Sequence, residues 1–371
     1  MSLIAWIQLL LIGAAIGAVL LLIMWWKFKK FSFHRLVLLT VFFTFDLILF
    51  GAFTRLSDSG LGCPDWPGCY GVSNPMAALA QIREAESLMP TGPVTLSKAW
   101  IEMLHRYFAM GVGFLIIILV VWSWMKKQAI GAKISRTSIG ILILVCVQGA
   151  FGAWTVTLKL QPVIVTIHLL LGMSLLSLLT WHAMRQNPMP SVHHDAATMR
   201  WPALLSLAIL FMQIALGGWV STNYSALACS GFPLCQGSLI PEMDWVQGFS
   251  LWRHLGMTSA GDYLPFGALV AIHWAHRNFA MIVVAVVAWA SHKARKIEGL
   301  RTVSRAISWM ILIQLATGIS TVLLDWPLAL AVVHNAGAAA LLILLVMLNY
   351  LIVFSTKKPD DVPHSVSAFP A

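Results

Sequence analysis

The sequence predicts an all-α integral membrane protein: a tandem, parallel duplication of a four-helix transmembrane bundle, plus one extra N-terminal transmembrane helix. Three observations predict this fold. The 371 residues are 59% hydrophobic and only 10% charged, with a mean hydropathy of +0.82. The apolar residues form continuous runs long enough to cross a bilayer. The chain also contains two copies of one sequence pattern.

Nine apolar runs lie close to the length of about 20 residues that crosses a bilayer as a helix. They cover approximately residues 3–26, 36–54, 103–125, 137–158, 163–184, 201–221, 267–291, 306–324 and 328–355. The runs are continuous rather than alternating, and a spanning helix satisfies its own backbone hydrogen bonds. Strands are therefore not expected.

The first run is predicted to be a retained anchor. No basic residue precedes it, a basic cluster follows it, and no convincing small-residue cleavage site is present. Of the 24 basic residues, 17 fall in every second connection, a bias that marks the cytoplasmic side. We therefore expect a multi-pass membrane protein with its N-terminus outside and its C-terminus in the cytoplasm. The same bias accounts for the net charge of +10, so no nucleic-acid partner is required.

An internal repeat defines the two bundles. Residues 51–71, GAFTRLSDSGLGCPDWPGCYG, match residues 217–237, GGWVSTNYSALACSGFPLCQG, without a gap at an offset of 166. Residues 148–158 match 314–324 at the same offset. The segment WIEMLHRYFAM at 100–110 matches AIHWAHRNFAM at an offset of 171, which places five added residues in the second external loop. Because each copy has an even number of helices, both copies share one orientation.

The repeat divides the chain into five segments. They are an N-terminal anchor at 1–35, a first bundle at 36–185, a cytoplasmic linker at 186–200, a second bundle at 201–355 and a cytoplasmic tail at 356–371.

Each repeat carries one histidine early in its second helix and another early in its fourth. These are His105 and His168 in the first repeat, and His276 and His334 in the second. The predicted polarity brings each pair to a similar depth near the outer side, where the two can face each other across the bundle. Ionisable side chains inside a membrane are costly enough to indicate function, and facing histidines in a four-helix bundle hold metal cofactors.

Two opposed histidines without a further ligand favour the axial positions of a haem iron. A zinc site would require three or four ligands. Small residues near these histidines leave room for a flat macrocycle or allow close helix packing; they are Gly111, Gly113, Gly172, Gly337 and Ala338. A hydrogen-bonded structural role is the alternative for any single membrane histidine.

Further ionisable residues lie beside the helix-two histidines. Arg106 and Arg277 each follow one of them, where an arginine can pair with haem propionates or extend to lipid headgroups. Glu102 lies one turn before His105, whereas the second repeat has His273 at the corresponding position. Because only the first bundle has this carboxylate, Glu102 is predicted to accept a proton or to stabilise a developing cation there. A stabilising hydrogen bond to an arginine or a histidine is the alternative.

Four cysteines lie in the external loops, with the same spacing in both repeats. In an oxidising compartment, Cys63 with Cys69 and Cys229 with Cys235 are expected to form two short disulfides. A thiol relay that passes reducing equivalents to the site is the alternative role.

Five motifs together resemble the haem A synthase family of bacteria and mitochondria, over about residues 36–355. They are GAFTRLSDSGLGCPDWPGC, EMLHR at 102–106, TIHLLLG at 166–172, HWAHR at 273–277 and VVHNAGA at 332–338. The resemblance implies an oxidoreductase of haem A biosynthesis and cytochrome oxidase assembly. Such an enzyme converts haem O to haem A by oxidising a methyl group to a formyl group through successive hydroxylations.

The resemblance also implies roles for the paired histidines. The second bundle would hold a haem b cofactor between His276 and His334. The first would receive substrate haem O at His105 and His168, with Glu102 as the catalytic carboxylate. Membrane lipid, an electron donor or acceptor such as a quinone, and the enzyme that produces haem O are the expected partners. A di-haem cytochrome b-type protein that transfers electrons from quinol is the alternative, and a transporter built from parallel repeats is a third class.

Overall fold

The predicted all-helical membrane architecture is confirmed in a computed structural model that describes residues 3–28, 32–186 and 192–354. Within these ranges, nine helices are long and apolar enough to cross a membrane. Residues 187–191 of the linker and the tail at 356–371 lie outside the described residues, and the division into five segments stays a prediction.

The nine long helices are numbered here in chain order. They are α1 Leu3–Phe28, α2 Phe33–Leu56, α3 Leu96–Met125, α4 Ala132–Thr157, α5 Pro162–Met184, α6 Arg200–Thr222, α7 Phe266–Ala294, α8 Arg301–Leu323 and α9 Leu328–Val353.

Helix α3 begins seven residues before the apolar run that predicts it at 103–125. The cause is local: the side chain of Thr95 accepts a hydrogen bond from the backbone N–H of Lys98 and caps the helix at Leu96. The cap lets a polar first turn continue into the apolar segment. Glu102 and His105 consequently lie inside a continuous helix, about two turns from its start.

The helices form two closed rings of four. In the first ring, α2 contacts α3, α3 contacts α4, α4 contacts α5, and α5 returns to α2. The second ring repeats this order with α6, α7, α8 and α9. The second and fourth helices of each ring are therefore diagonally opposite. The rings meet through their first and fourth helices, because α2 and α5 contact α6 and α9.

Helix α1 packs on the outside of the first ring against α3. Its Gly13 and Gly17 form a G-x-x-x-G pattern, which allows two helices to approach closely. A Cβ atom at Gly13 would lie 2.6 Å from the Cβ of Met110, and one at Gly17 would lie 2.3 Å from the ring of Phe114. Gly111 of α3 also faces α1, where an added Cβ would lie 2.8 Å from Ile16. Gly111 therefore serves helix packing.

The two disulfide loops lie at one end of the rings, which we call the disulfide end. The segment between the first loop and α3 contains a short helix, Leu79–Leu88, whose buried Ile82 packs with Ala99 and Met103 of α3. The corresponding segment of the second ring contains one helical turn, Trp245–Gly248, and the buried Arg253. Both segments cover the disulfide end of their own ring.

Replacing Gly13 by valine should detach α1 from α3, because the new side chain meets the rigid Cβ of Met110. Overpacking of this kind costs about 1–3 kcal/mol, so thermal unfolding in detergent should occur at a lower temperature. Ala15→Val is the matched control, since Ala15 is exposed on the same helix. Equal melting temperatures for the two variants would contradict this packing.

Candidate functional site

The four predicted histidines lie on the diagonally opposed helices of the two rings. His105 is on α3 and His168 on α5; His276 is on α7 and His334 on α9. All four residues keep part of their surface accessible.

Each imidazole is seated against a glycine of the preceding helix in its ring. A Cβ atom added at Gly51 would lie 3.0 Å from Cε1 of His105, and one added at Gly152 would lie 3.2 Å from Cε1 of His168.

The second ring repeats both glycine contacts, and its two glycines lie 166 residues after those of the first ring. The corresponding distances are 3.0 Å at Gly217 beside His276 and 3.2 Å at Gly318 beside His334. Each of these glycines leaves room for a histidine side chain of the next helix, because a side chain at the glycine would crowd the imidazole.

The polar neighbours of the imidazoles differ between the rings. In the second ring, Nδ1 of His334 lies 2.9 Å from the Thr317 hydroxyl. Nδ1 of His276 lies 3.2 Å from the amide nitrogen of Gln213. In the first ring, the buried Nδ1 atoms of His105 and His168 have no hydrogen-bond partner among the described residues. The amide nitrogen of Gln148 instead lies 3.4 Å from Nε2 of His168.

Glu102 is buried at the disulfide end of the first ring and is held by two partners. One carboxylate oxygen pairs with the guanidinium of Arg106, and the other accepts a hydrogen bond of 2.8 Å from the backbone N–H of Cys63. Only 4% of Glu102 and 9% of Arg106 is exposed. The carboxylate therefore links α3 to the first disulfide loop, one turn before His105.

Arg106 and Arg277 make the same contact in both rings: each holds its disulfide loop by backbone carbonyls. Arg106 donates to the carbonyls of Asp65, Pro67 and Gly68, at 2.9, 3.2 and 2.5 Å. Arg277 donates to the equivalent carbonyls, those of Gly231, Pro233 and Leu234, and also to that of Cys229. The Arg277 guanidinium also lies over the ring of Phe232.

His273 occupies the position of Glu102 in contact as well as in sequence. Its Nδ1 atom accepts a hydrogen bond of 3.2 Å from the backbone N–H of Cys229, as the Glu102 carboxylate does from Cys63. The first loop cysteine of each ring is therefore bound by a side chain one turn before the histidine. The rings differ in the charge of that side chain.

Both predicted disulfides are confirmed. Cys63 is bonded to Cys69 and Cys229 to Cys235, with Cα atoms 4.9 and 4.6 Å apart. All four cysteines are buried. Cys146 is a free thiol on the outer face of α4.

A polar contact joins the two rings at the disulfide end. Arg55 of α2 donates to the carbonyl of Ser221 at 2.6 Å and lies over the ring of Tyr224, whose hydroxyl donates to Asp58. Burial raises the pKa of the Tyr224 hydroxyl above its ordinary value, and the nearby Arg55 partly offsets this rise. The neutral phenol therefore persists as the donor to Asp58.

Sequence analysis does not identify the glycines that contact the histidines. Gly172 and Gly337, chosen for their position near a histidine, instead face Gln148 and Gln314: an added Cβ would lie 3.3 and 2.0 Å from the amide nitrogens. Gly113 faces open space. The available signal was the repeat itself, because Gly51 and Gly152 align with glycines in the second copy.

These features define a class: a multi-pass helical membrane protein with a pair of opposed histidines in each of two similar four-helix rings. Residues 34–346 match the family model described as cytochrome oxidase assembly protein. The chain belongs to this family. The relatives that it matches are haem A synthases.

Three relatives illustrate the similarity. The haem A synthase of Shewanella oneidensis is 40% identical over 319 residues, which cover 85% of this chain and 96% of that protein. The haem A synthase of Erythrobacter litoralis is 28% identical over 320 residues, covering 80% of this chain and 90% of its own. That of Caulobacter vibrioides is 28% identical over 320 residues, covering 80% and 89%. Helix α1 lies outside the family match.

Replacing Arg106 by alanine should destabilise the protein more than replacing Arg277. Arg106→Ala leaves the buried Glu102 carboxylate without its cation, a loss of about 3–5 kcal/mol for a buried pair. In the described part of the chain, Arg277 contacts backbone carbonyls and an aromatic ring, so its removal leaves no buried charge. Denaturation in detergent measures both losses.

Adding Glu102→Gln to Arg106→Ala should recover part of the stability, since a neutral amide needs no cation. Equal losses for the two arginines, with no recovery in the double variant, would contradict this account of the ion pair.

Proposed function

We propose that the protein is an oxidoreductase that oxidises a methyl group of haem O to the formyl group of haem A, with a resident haem b held by two histidines. Family membership supports the reaction. The observation that carries the site assignment is the pair of imidazoles in each ring, on diagonally opposed helices and each seated against a glycine. Two such rings fit two haems, one as cofactor and one as substrate.

The second ring is the proposed haem b site, where His276 and His334 would hold the iron. His334 has a hydroxyl oxygen, that of Thr317, 2.9 Å from its Nδ1 atom. A metal-bound histidine commonly has its other ring nitrogen held by such a neighbour, which fixes the orientation of the ring. When bound, haem b supplies one-electron transfer.

The first ring is the proposed substrate site, with His105 and His168 facing haem O. The buried Nδ1 atoms of these two histidines have no hydrogen-bond partner in the described residues. Their imidazoles are therefore held less firmly than those of the second four-helix ring. A site that must accept haem O and release haem A requires such weaker retention. The apolar tail of haem O would extend into the surrounding lipid.

Glu102 is the proposed proton acceptor. With the new oxygen counted as water, conversion of a methyl to a formyl group releases about four electrons, to an external electron acceptor, and about four protons, which a fixed base can take up. Arg106 and the Cys63 N–H hold the carboxylate one turn before His105. Arg106 is therefore proposed to orient the base. Arg277 has the corresponding loop contact in the cofactor ring.

The proposed setting is the bacterial inner membrane, with the disulfide end outside, the N-terminus outside and the C-terminus in the cytoplasm. The positive-inside distribution of lysine and arginine supports this orientation. The two disulfides support it too, because such bonds persist in an oxidising compartment. A quinone as electron partner, and the enzyme that makes haem O as haem donor, are further proposals.

A di-haem electron carrier is the second candidate function. The observation that favours it is the equivalence of Glu102 and His273, which bind the first loop cysteine of their rings in the same way. Mass analysis of haem extracted from cells that supply haem O separates the two functions. Haem A in the extract indicates the synthase, and haem b alone indicates the carrier.

Replacing Glu102 by glutamine should abolish haem A formation while the protein stays folded and retains haem b. The amide oxygen still accepts from the Cys63 N–H but is no longer a base, and losing a positioned base slows a reaction by about 10²–10⁴-fold. Product is measured by mass analysis of extracted haem, and folding by the melting temperature. Wild-type yields of haem A would exclude Glu102 as the base.

Alanine at His276 or His334 should remove the resident haem, because one axial ligand cannot hold the low-spin iron. The absorption spectrum and haem-to-protein ratio of the purified variants test this. His292→Ala is the control, since His292 lies near the far end of α7. An unaltered low-spin spectrum in either ligand variant would refute that ligand.

A further inference from the structure

We propose that Thr317 is a positioning residue that makes His334 a permanent haem ligand, and that the lack of an equivalent hydroxyl leaves His168 an exchangeable one. This inference rests on the proposed function and deepens it. It identifies what separates a ring that keeps its haem from one that exchanges haem.

The backbone carbonyls of Ile313 and Gln314 both lie within reach of the Thr317 hydroxyl hydrogen, which leaves the hydroxyl oxygen to accept from His334. The hydroxyl oxygen lies 2.8 Å from the carbonyl of Ile313 and 2.9 Å from Nδ1 of His334. Nδ1 must then carry the ring proton. Nε2 is consequently unprotonated, which is the state that binds iron. Gly318 lies against the same imidazole, where an added Cβ would be 3.2 Å from Cε1. Helix α8 therefore limits movement of the imidazole toward that side.

The first ring lacks this hydroxyl. Position 151, which aligns with 317, is phenylalanine. The buried Nδ1 of His168 has no hydrogen-bond partner in the part of the chain that the structure describes. The amide nitrogen of Gln148, which can only donate, lies 3.4 Å from Nε2. In that arrangement the Nε2 lone pair is directed at the amide, so haem binding to His168 must displace a contact that His334 does not have.

The other histidines, His276 and His105, also differ in their neighbours at Nδ1, but not in the same sense. Gln213 lies 3.2 Å from Nδ1 of His276, whereas the aligned position in the first ring is Leu47. The buried Nδ1 of His105 is likewise without a hydrogen-bond partner among the described residues. The amide nitrogen of Gln213 can only donate, so this contact does not reproduce the effect of the Thr317 hydroxyl. The inference therefore rests on the contact between Thr317 and His334.

Hydrogen bonds to the outer nitrogen of a histidine ligand change metal affinity by roughly 10–100-fold. They also increase the basicity of the ligand and so favour the ferric state. Loss of the Thr317 hydroxyl should therefore weaken haem retention and raise the midpoint potential of the resident haem.

The test uses the full-length protein purified with its resident haem. Haem transfer to excess apomyoglobin should be roughly tenfold faster for Thr317→Val than for wild type, with a higher midpoint potential. Thr317→Ser keeps the hydroxyl and should restore both values. Thr321→Val is the control for general loosening of α8, because the Thr321 hydroxyl bonds to the carbonyl of Gly318.

Two outcomes would overturn the inference: unchanged transfer rate and potential in Thr317→Val, or equal effects from Thr317→Val and Thr321→Val. Failure of the proposed function would look different. In that case the wild-type protein would hold no haem, or His334→Ala would keep it, whatever residue stands at 317.

Discussion

The fold depends on placing bulky imidazole rings between closely packed helices. At Gly51 beside His105, an added Cβ would lie 3.0 Å from the ring, tighter than ordinary van der Waals contact, and Gly318 beside His334 is nearly as close. Interior packing is dense and yields little to added volume. Glycine therefore allows two neighbouring helices to pack closely with a histidine side chain between them, so that the four helices still close into a bundle. All four contacts obey the same constraint.

The disulfide loops extend this constraint to the end of the rings. Arg106 and Arg277 each donate hydrogen bonds to the backbone carbonyls of their loop. Each loop also donates one backbone N–H, to Glu102 in the first ring and to His273 in the second. Each loop is thus closed covalently and bound by two side chains of one helix. It acts as a fixed end of the bundle, which holds the depth and rotation of the helix that carries His105 or His276.

The sequence predicts the helices and disulfides well but few of the contacts. Apolar runs and repeated cysteines are visible because hydrophobicity and spacing are properties of the chain. Hydropathy does not register the cap at Thr95, so the prediction from the apolar run places Glu102 at the margin of a helix rather than inside it. The loop contacts of Arg106 join residues about forty positions apart, and hydropathy carries no signal for them. The predicted roles of these residues toward haem stay predictions.

Duplication explains why the two rings share a skeleton, and divergence explains how they can differ in function. The differences lie beside the histidines: Glu102 where the other ring has His273, and Phe151 where it has Thr317. Neither change alters the helix that carries it. In the proposed function, a charge one turn from one histidine and a hydroxyl beside another would act on proton position and on histidine orientation, which would separate a reacting haem from a retained one. Two rings of the same shape can therefore be specialised without a change in backbone.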